Sequence, residues 1–243
     1  MFFKRKKNFR DSLKKLIETP TEKSEAAILY LGYSGVIVKT KNHLIAFDPA
    51  DLLDRKEIEY LSNLELLLYT HGHGDHYDTS TLRKIFEKAS PHVIVEPSLF
   101  DDASRTAPKE KIFKAEYGKS IEIANFKVTG IKGIHRGPIT LYLVKTDDLS
   151  IFHGGDSAYV PLTEYTSDIA FVPTGSPSPT ASPEDAYKMV NDLKPKAALP
   201  FHGSESQHKT FIKLVKENLP EIKTIQLRAV SYTHLTLPTT PYV

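Results

Sequence analysis

The sequence predicts an α/β fold in which two sheets pack together under covering helices. Three observations carry that expectation. Apolar runs of strand length, such as residues 64–69 (LELLLY), alternate with stretches such as Leu82, Ile85, Phe86 and Ala89, where apolar residues recur at helical spacing. No Gly/Ser/Pro-rich break separates these segments as a linker would. The 243 residues are ample for a sizeable core in about one or two domains.

The chain opens with a charge imbalance. Lys4, Arg5, Lys6, Lys7, Arg10, Lys14, Lys15 and Lys23 oppose Asp11, Glu18 and Glu22, so residues 1–23 carry +5 of a net +2 and leave −3 for the remainder. Phe2, Phe3, Phe9, Leu13, Leu16 and Ile17 give this basic segment a helical period that ends before Pro20. The expected role is a solubilising helix that lays its apolar side on the domain or on a second copy. An interfacial helix or an RNA-contacting arm are the alternatives. No run approaches the roughly eighteen apolar residues of a membrane span, and the basic start lacks the apolar stretch of a secretory signal. The chain has no cysteine, which excludes disulfides and thiolate ligands and fits a cytoplasmic protein.

From Ala27 onward strands follow one another: residues 28–31, 35–38 and 44–47, the last two joined by a turn at Lys41 and Asn42, form a meander closed by Asp48-Pro49. The helix through Leu82 to Ala89 stops at Pro91, and residues 93–95 return as a strand. Residues 97–114 read as a short helix and surface loops. Residues 121–123 and 126–128 form a hairpin about Ala124-Asn125, with further strands at 140–144, 150–153 and 168–173. The loop 174–179 is stiffened by two prolines, and Ser182-Pro183 starts a helix whose buried stripe is Ala186, Met189, Val190 and Leu193. A strand at 197–201, a helix through Phe211 to Leu219 and a closing strand at 222–227 complete the order.

Directly behind the run 64–69 stands Thr70-His71-Gly72-His73-Gly74-Asp75-His76. Three imidazoles and one carboxylate in six residues are hard to explain by packing. Each imidazole can offer a nitrogen lone pair and Asp75 an oxygen, a mixed set that suits zinc, iron or manganese. The glycines let the loop turn sharply and bring alternate ligands round one point. From these residues alone, one metal centre or two remain open.

The pattern His71-x-His73-x-Asp75-His76 resembles the signature of the metallo-beta-lactamase superfamily of metal-dependent hydrolases. Tyr77-Asp78, and the Gly32-Tyr33-Ser34-Gly35 element with Phe47-Asp48-Pro49, are similar to its lactonase-like and uncharacterised hydrolase branches, where the position of Tyr33 is often histidine. The resemblance implies a four-layer αββα sandwich. It also implies three further ligands: His135, before the strand 140–144; Asp156, after Gly154-Gly155; and His202, at the end of the strand 197–201. On that likeness His71, His73 and His135 bind one metal, Asp75, His76 and His202 bind a second, and Asp156 bridges them. His153, by contrast, is expected to hydrogen-bond.

The function so implied is hydrolysis of a small ester, lactone or phosphoester by a metal-bridging hydroxide, with Asp75 and Asp156 as catalytic carboxylates. The cofactors are two divalent ions, Zn²⁺ first and Mn²⁺ or Fe²⁺ as rivals. Relatives that share the motif cleave lactams, lactones, thioesters, phosphodiesters and nucleic acids. A nuclease and a non-enzymatic metal-stabilised scaffold are therefore the alternatives. The partners expected are a small-molecule substrate and a second copy of the chain, with nucleic acid as the lesser choice. In domain terms, residues 1–23 form the basic helical segment and 24–229 the metallo-hydrolase domain. Residues 230–243, abruptly uncharged and threonine-rich, resemble a translated sequencing adaptor, so this non-native tail and its His234 are kept out of the site.

Overall fold

A computed structural model describes residues 2–177 and 180–238, and side chains from residue 9 onward within those ranges. The side chains of Phe2, Phe3, Lys4, Arg5, Lys6 and Lys7, loop residues Ser178 and Pro179, and the tail from Thr239 lie outside the described residues. The chain folds as two compact units, one running to Lys114 and joined by Arg228–Thr236, the other Ala115–Leu227 with the residues from Leu237. Each unit carries one seven-stranded sheet.

In the first unit the elements are α1 (Phe2–Glu18), β1 (Glu25–Gly32), β2 (Gly35–Lys39), β3 (Leu44–Phe47), α2 (Arg55–Ile58), β4 (Leu66–Tyr69), α3 (Thr79–Ala89), β5 (His92–Val95), α4 (Phe100–Ala103) and β6 (Ile112–Lys114). The β1–β2–β3 meander is antiparallel, and β3, β4, β5 and β6 then pair in parallel. One sheet face, with Leu29, Ile37, Ala46, Leu67 and Val93, packs on Leu13 and Leu16 of α1 and on Leu82 and Ile85 of α3. Ile28, Val38, Ile45, Leu66, Leu68 and Ile94 of the other face are also fully buried. Burial on both faces explains why β4 reads as an unbroken apolar run rather than an alternation.

The basic segment is a packed helix. Phe9, Leu13 and Leu16 are buried, each contributing about 1.5–3 kcal/mol by area. Arg10 reaches Asp54 at 3.2 Å, and Lys39 Nζ donates to the carbonyls of Ile17 and Thr19 at 2.6 and 2.7 Å, satisfying the end of α1 where the helix dipole is negative. Residues 97–114 depart from expectation by contributing β6. Three residues are too short to show a period, yet they add to β5 in register, Val93 to Ile112.

The second unit contains β7 (Ser120–Ile123), β8 (Phe126–Lys132), β9 (Thr140–Lys145), β10 (Ser150–His153), β11 (Ile169–Pro173), α5 (Pro183–Leu193), β12 (Ala197–Phe201), α6 (Glu205–Asn218) and β13 (Lys223–Thr224). Its strands pair in the order β13-β12-β11-β10-β9-β8-β7. Ser182 caps α5 by accepting from Asp185 N–H at 3.1 Å, and Met189, Val190 and Leu193 pack with Phe211 and Val215 of α6 on Leu143, Phe152, Ala170 and Ala198 of the sheet. The closing strand is shorter than predicted: after Thr224 the ladder makes one more bond, Ile225 N–H to Ala198 carbonyl at 3.2 Å, and ends.

Residues 231–236 form β14 (Ser231–Thr236), antiparallel to β1 at the edge of the first sheet, with Leu235 fully buried. Ser12 Oγ donates to the Val230 carbonyl at 3.1 Å and Lys15 Nζ lies 4.6 Å above the Tyr232 ring, so α1 overlies this edge.

Candidate metal centre

The candidate ligand residues sit where strands end. In the first sheet β3 and β4 run parallel, which places Asp48, just past β3, beside Thr70 and His71, just past β4. In the second, β9 is antiparallel to both β8 and β10, and β10, β11 and β12 are parallel. β8, β10 and β12 therefore point the same way, and His135, Asp156 and His202 all follow their carboxyl ends. Ligand sites in sheets of this kind gather at that edge.

The loop after β4 is held tightly. The N–H groups of His76 and Tyr77 both donate to the His73 carbonyl at 2.9 Å, and Tyr77 OH and Thr79 Oγ1 donate to Asp102 at 2.8 Å each. Those hydroxyls keep the Asp102 carboxyl below its ordinary range, while burial, reinforced by Asp102, raises the Tyr77 phenol well above its own. Tyr77 therefore acts as a permanent donor that fixes the loop. The three imidazoles gather within it: ring centroids are 4.6 Å apart for His71 and His73 and 3.9 Å for His71 and His76. His71 and His76 are buried, and His73 lies at the surface.

Beneath them lies a residue not assigned to the site from the sequence. Asp48 is fully buried and accepts from Thr70 N–H at 2.8 Å, from Thr70 Oγ1 at 2.6 Å and from His76 Nδ1 at 2.8 Å. A hydroxyl has one proton. Because Thr70 gives its proton to Asp48, Thr70 Oγ1 accepts from His71 Nδ1, 3.0 Å away. One carboxylate thus sets both rings as Nδ1–H tautomers, directly for His76 and through Thr70 for His71, and each lone pair resides on a buried Nε2. A carboxylate bonded to the far ring nitrogen of a metal-binding histidine orients the ring and raises its basicity. Asp48 adopts a left-handed backbone, φ 43°, at a cost of roughly 1–2 kcal/mol that Asp tolerates better than most residues. The one sequence signal for it was its place in Phe47-Asp48-Pro49.

In the second unit, Asp156 lies within a turn closed by Ser157 N–H to the Gly154 carbonyl at 3.2 Å. His153 hydrogen-bonds, as expected: its buried ring is stacked on Phe201 with centroids 5.1 Å apart, and Nδ1 accepts from Gly155 N–H at 3.2 Å. His202 has φ 46°, and its carbonyl passes so near Gly175 that a Cβ there would lie 2.2 Å from it. The carbonyl of Phe201, one residue before, accepts from Thr174 N–H at 3.1 Å and from Thr174 Oγ1 at 3.4 Å. Burial holds the His208 imidazole below its ordinary range, so it is neutral there. Asp156 Oδ2 stands 3.1 Å from His202 Nε2, and in the first unit Asp75 Oδ2 is 3.9 Å from His76 Nε2. An ion at 2.0–2.2 Å from each ligand spaces neighbouring ligand atoms by about 3–3.6 Å, so both pairs fit one ion with little movement.

Among the described residues, the side chains that could hold a metal ion fall into two groups, His71, His73 and His135, and Asp75, His76, Asp156 and His202. Every site residue expected from the sequence belongs to one of them. All donors are nitrogen or oxygen, which suits zinc, iron or manganese.

Two sheets with helices and histidine and aspartate side chains at strand ends define a metal-dependent hydrolase of the metallo-beta-lactamase fold. Residues 27–202 match the beta-lactamase superfamily domain, and the chain belongs to that superfamily. It is similar to YtkL of Bacillus subtilis, named a UPF0173 metal-dependent hydrolase, at 28% identity over 202 residues, covering 72% of this chain and 84% of YtkL. Among solved structures it resembles Igni18, described as a novel metallo hydrolase from Ignicoccus hospitalis, with TM-score 0.73, 17% identity and coverage of 88% of this chain and 100% of that one. It also resembles CmlA, a diiron beta-hydroxylase from Streptomyces venezuelae, with TM-score 0.66, 15% identity and coverage of 90% and 55%. No helix among the described residues is long and apolar enough to cross a membrane.

Proposed function

We propose that this hydrolase is dinuclear and cleaves a small ester, lactone or phosphoester. One ion is assigned to His71, His73 and His135, the second to Asp75, His76 and His202, with Asp156 shared between them. The observation that carries the reading is the Asp48 network, which presents Nε2 of both His71 and His76 as acceptors. A loop that binds nothing has no need for two buried imidazoles locked in one tautomer. Two divalent cations supply Lewis acidity and a lowered pKa for a shared water. The chain's own part is to orient and to move protons. Asp48 and Thr70 hold the two rings, Asp156 contributes a second carboxylate charge, and Asp75, half-buried, is placed to take a proton from the attacking water.

Zinc is the first choice of metal. Iron is a rival, because CmlA, similar in fold, is described as diiron. The test is turnover of bis-p-nitrophenyl phosphate, a panel of lactones and labelled RNA by purified, metal-loaded protein. Cleavage of a small ester, lactone or phosphoester is expected, cleavage of RNA alone would replace the reading with a nuclease, and no turnover of anything by the loaded protein would favour a scaffold.

A further inference from the structure

We propose that Ser157 is a positioning residue that ties the His135 loop to the Asp156 loop, so that the two ligands are held as one piece. The proposal rests on His135 and Asp156 being metal ligands, as argued above. His135 lies three residues beyond the end of β8 on a half-exposed loop, and no sequence pattern fixes where it points. Its anchor is the residue before it. Ile134 N–H donates to Ser157 Oγ at 2.9 Å, and the Ile134 carbonyl, which belongs to the peptide carrying His135 N, accepts from Ala158 N–H at 2.8 Å. Ile134 and Ala158 thereby form an antiparallel bridge outside either sheet ladder.

Ser157 is fully buried, and its hydroxyl serves both segments at once. It accepts from Ile134 and donates its proton to the Ala158 carbonyl at 2.6 Å. Its own N–H closes the turn that presents Asp156, through the Gly154 carbonyl at 3.2 Å. Only a hydroxyl on a short side chain can accept and donate at this point. The neighbouring chain leaves no slack: a Cβ on Gly133 would stand 2.8 Å from Ser157 Oγ and 2.3 Å from Leu141 Cδ1. The His135 strand end and the Asp156 turn are thus in direct apposition. Loss of the hydroxyl frees Ile134 N–H to turn to water, and of the two bonds made by Ile134 across the bridge only that of its carbonyl to Ala158 N–H is left.

The experiment measures Zn²⁺ affinity of the full chain by competition with a chelating dye, alongside the melting temperature of metal-free protein. Ser157→Ala is expected to weaken Zn²⁺ binding about tenfold while the metal-free melting temperature moves little, and Ser157→Thr, which keeps the hydroxyl, to restore part of the affinity. Should the alanine variant fail to fold, Ser157→Cys fills the space with a weak acceptor and is expected to weaken binding in the same way. His135→Ala and Asp156→Asn run in parallel as controls for the ligand assignment. Unchanged affinity in the folded Ser157 variants, with loss in the two ligand variants, would overturn the clamp and leave the ligands standing. Unchanged affinity in the two ligand variants would overturn the assignment on which the clamp rests.

Discussion

The two units present the proposed ligands in opposite ways. The first offers His71, His73, Asp75 and His76 from one loop, braced from beneath by a single buried carboxylate. The second offers His135, Asp156 and His202 from three loops, each held by its own local bonds: the Ile134 to Ala158 bridge, the Gly154 to Ser157 turn, and the Phe201 carbonyl bound by Thr174. In the first unit, precision is a property of one short sequence. In the second it is a property of strand direction, because β8, β10 and β12 must run the same way before their ends can share an edge. Damage should therefore be concentrated at Asp48 in the first unit and distributed in the second.

The largest effect is expected at Asp156. Asp156→Asn keeps the size and removes the charge, so in the proposed dinuclear site a shared water would be less acidic and the ions would bind more weakly. Turnover should fall by roughly 100-fold or more, equal to at least about 2.7 kcal/mol of transition-state stabilisation, with partial recovery at higher pH and the fold retained in excess metal. Rates near normal with two ions bound would remove the bridging role. Next comes Asp48→Asn, which touches no ion. It leaves Thr70 and His76 with a neutral partner whose amide end cannot accept, and metal affinity should drop by about 10- to 100-fold. Equal affinity in variant and parent by chelator competition would show that the tautomer network is incidental.

A smaller effect concerns His208. Its imidazole is neutral when folded because burial depresses its pKa, whereas the unfolded chain protonates near its ordinary value, so the unfolded state binds more protons as pH falls. Its contribution to stability is fully present above about pH 6.5 and is lost as pH drops through the depressed folded value. His208→Gln, which keeps a polar side chain and removes the titrating ring, should flatten the decline in urea-unfolding stability between about pH 7 and 5; an unchanged slope would remove His208 from the explanation. The smallest effect on the site is expected from deleting residues 230–243. We hold to the proposal that this segment is foreign to the hydrolase, yet β14 covers the β1 edge and buries Leu235. An edge strand will pair with any suitable extended segment. Truncation should lower the melting temperature and leave metal content unchanged, and loss of bound metal would show that the tail belongs to the native domain.

The contrast between the units also sets what could be read from the sequence. The 71–76 loop was legible because its ligands and the apolar run before them are contiguous. His135, Asp156 and His202 came from a resemblance, since a lone histidine or aspartate after a strand carries no local signal of convergence. Asp48 and Ser157 were missed as site residues for a related reason: they act on ligands 22 or more positions away in sequence, as Asp48 does through Thr70, or across a bridge between loops. The core strands were readable because burial on both faces makes them uniformly apolar, whereas β6, three residues long, lacked the length to show any pattern. The packing of α1 was foreseen from the period of Leu13 and Leu16, while its anchors, Arg10 on Asp54 and Lys39 on the helix end, depend on tertiary placement.

The proposed function turns on two ions being bound per chain. Titrating metal-free protein with Zn²⁺ and measuring bound metal per chain by elemental analysis tests it most directly. Close to two ions per folded chain are expected, falling toward one or fewer in His76→Ala. A folded protein that binds no Zn²⁺, Mn²⁺ or Fe²⁺ at all would contradict it.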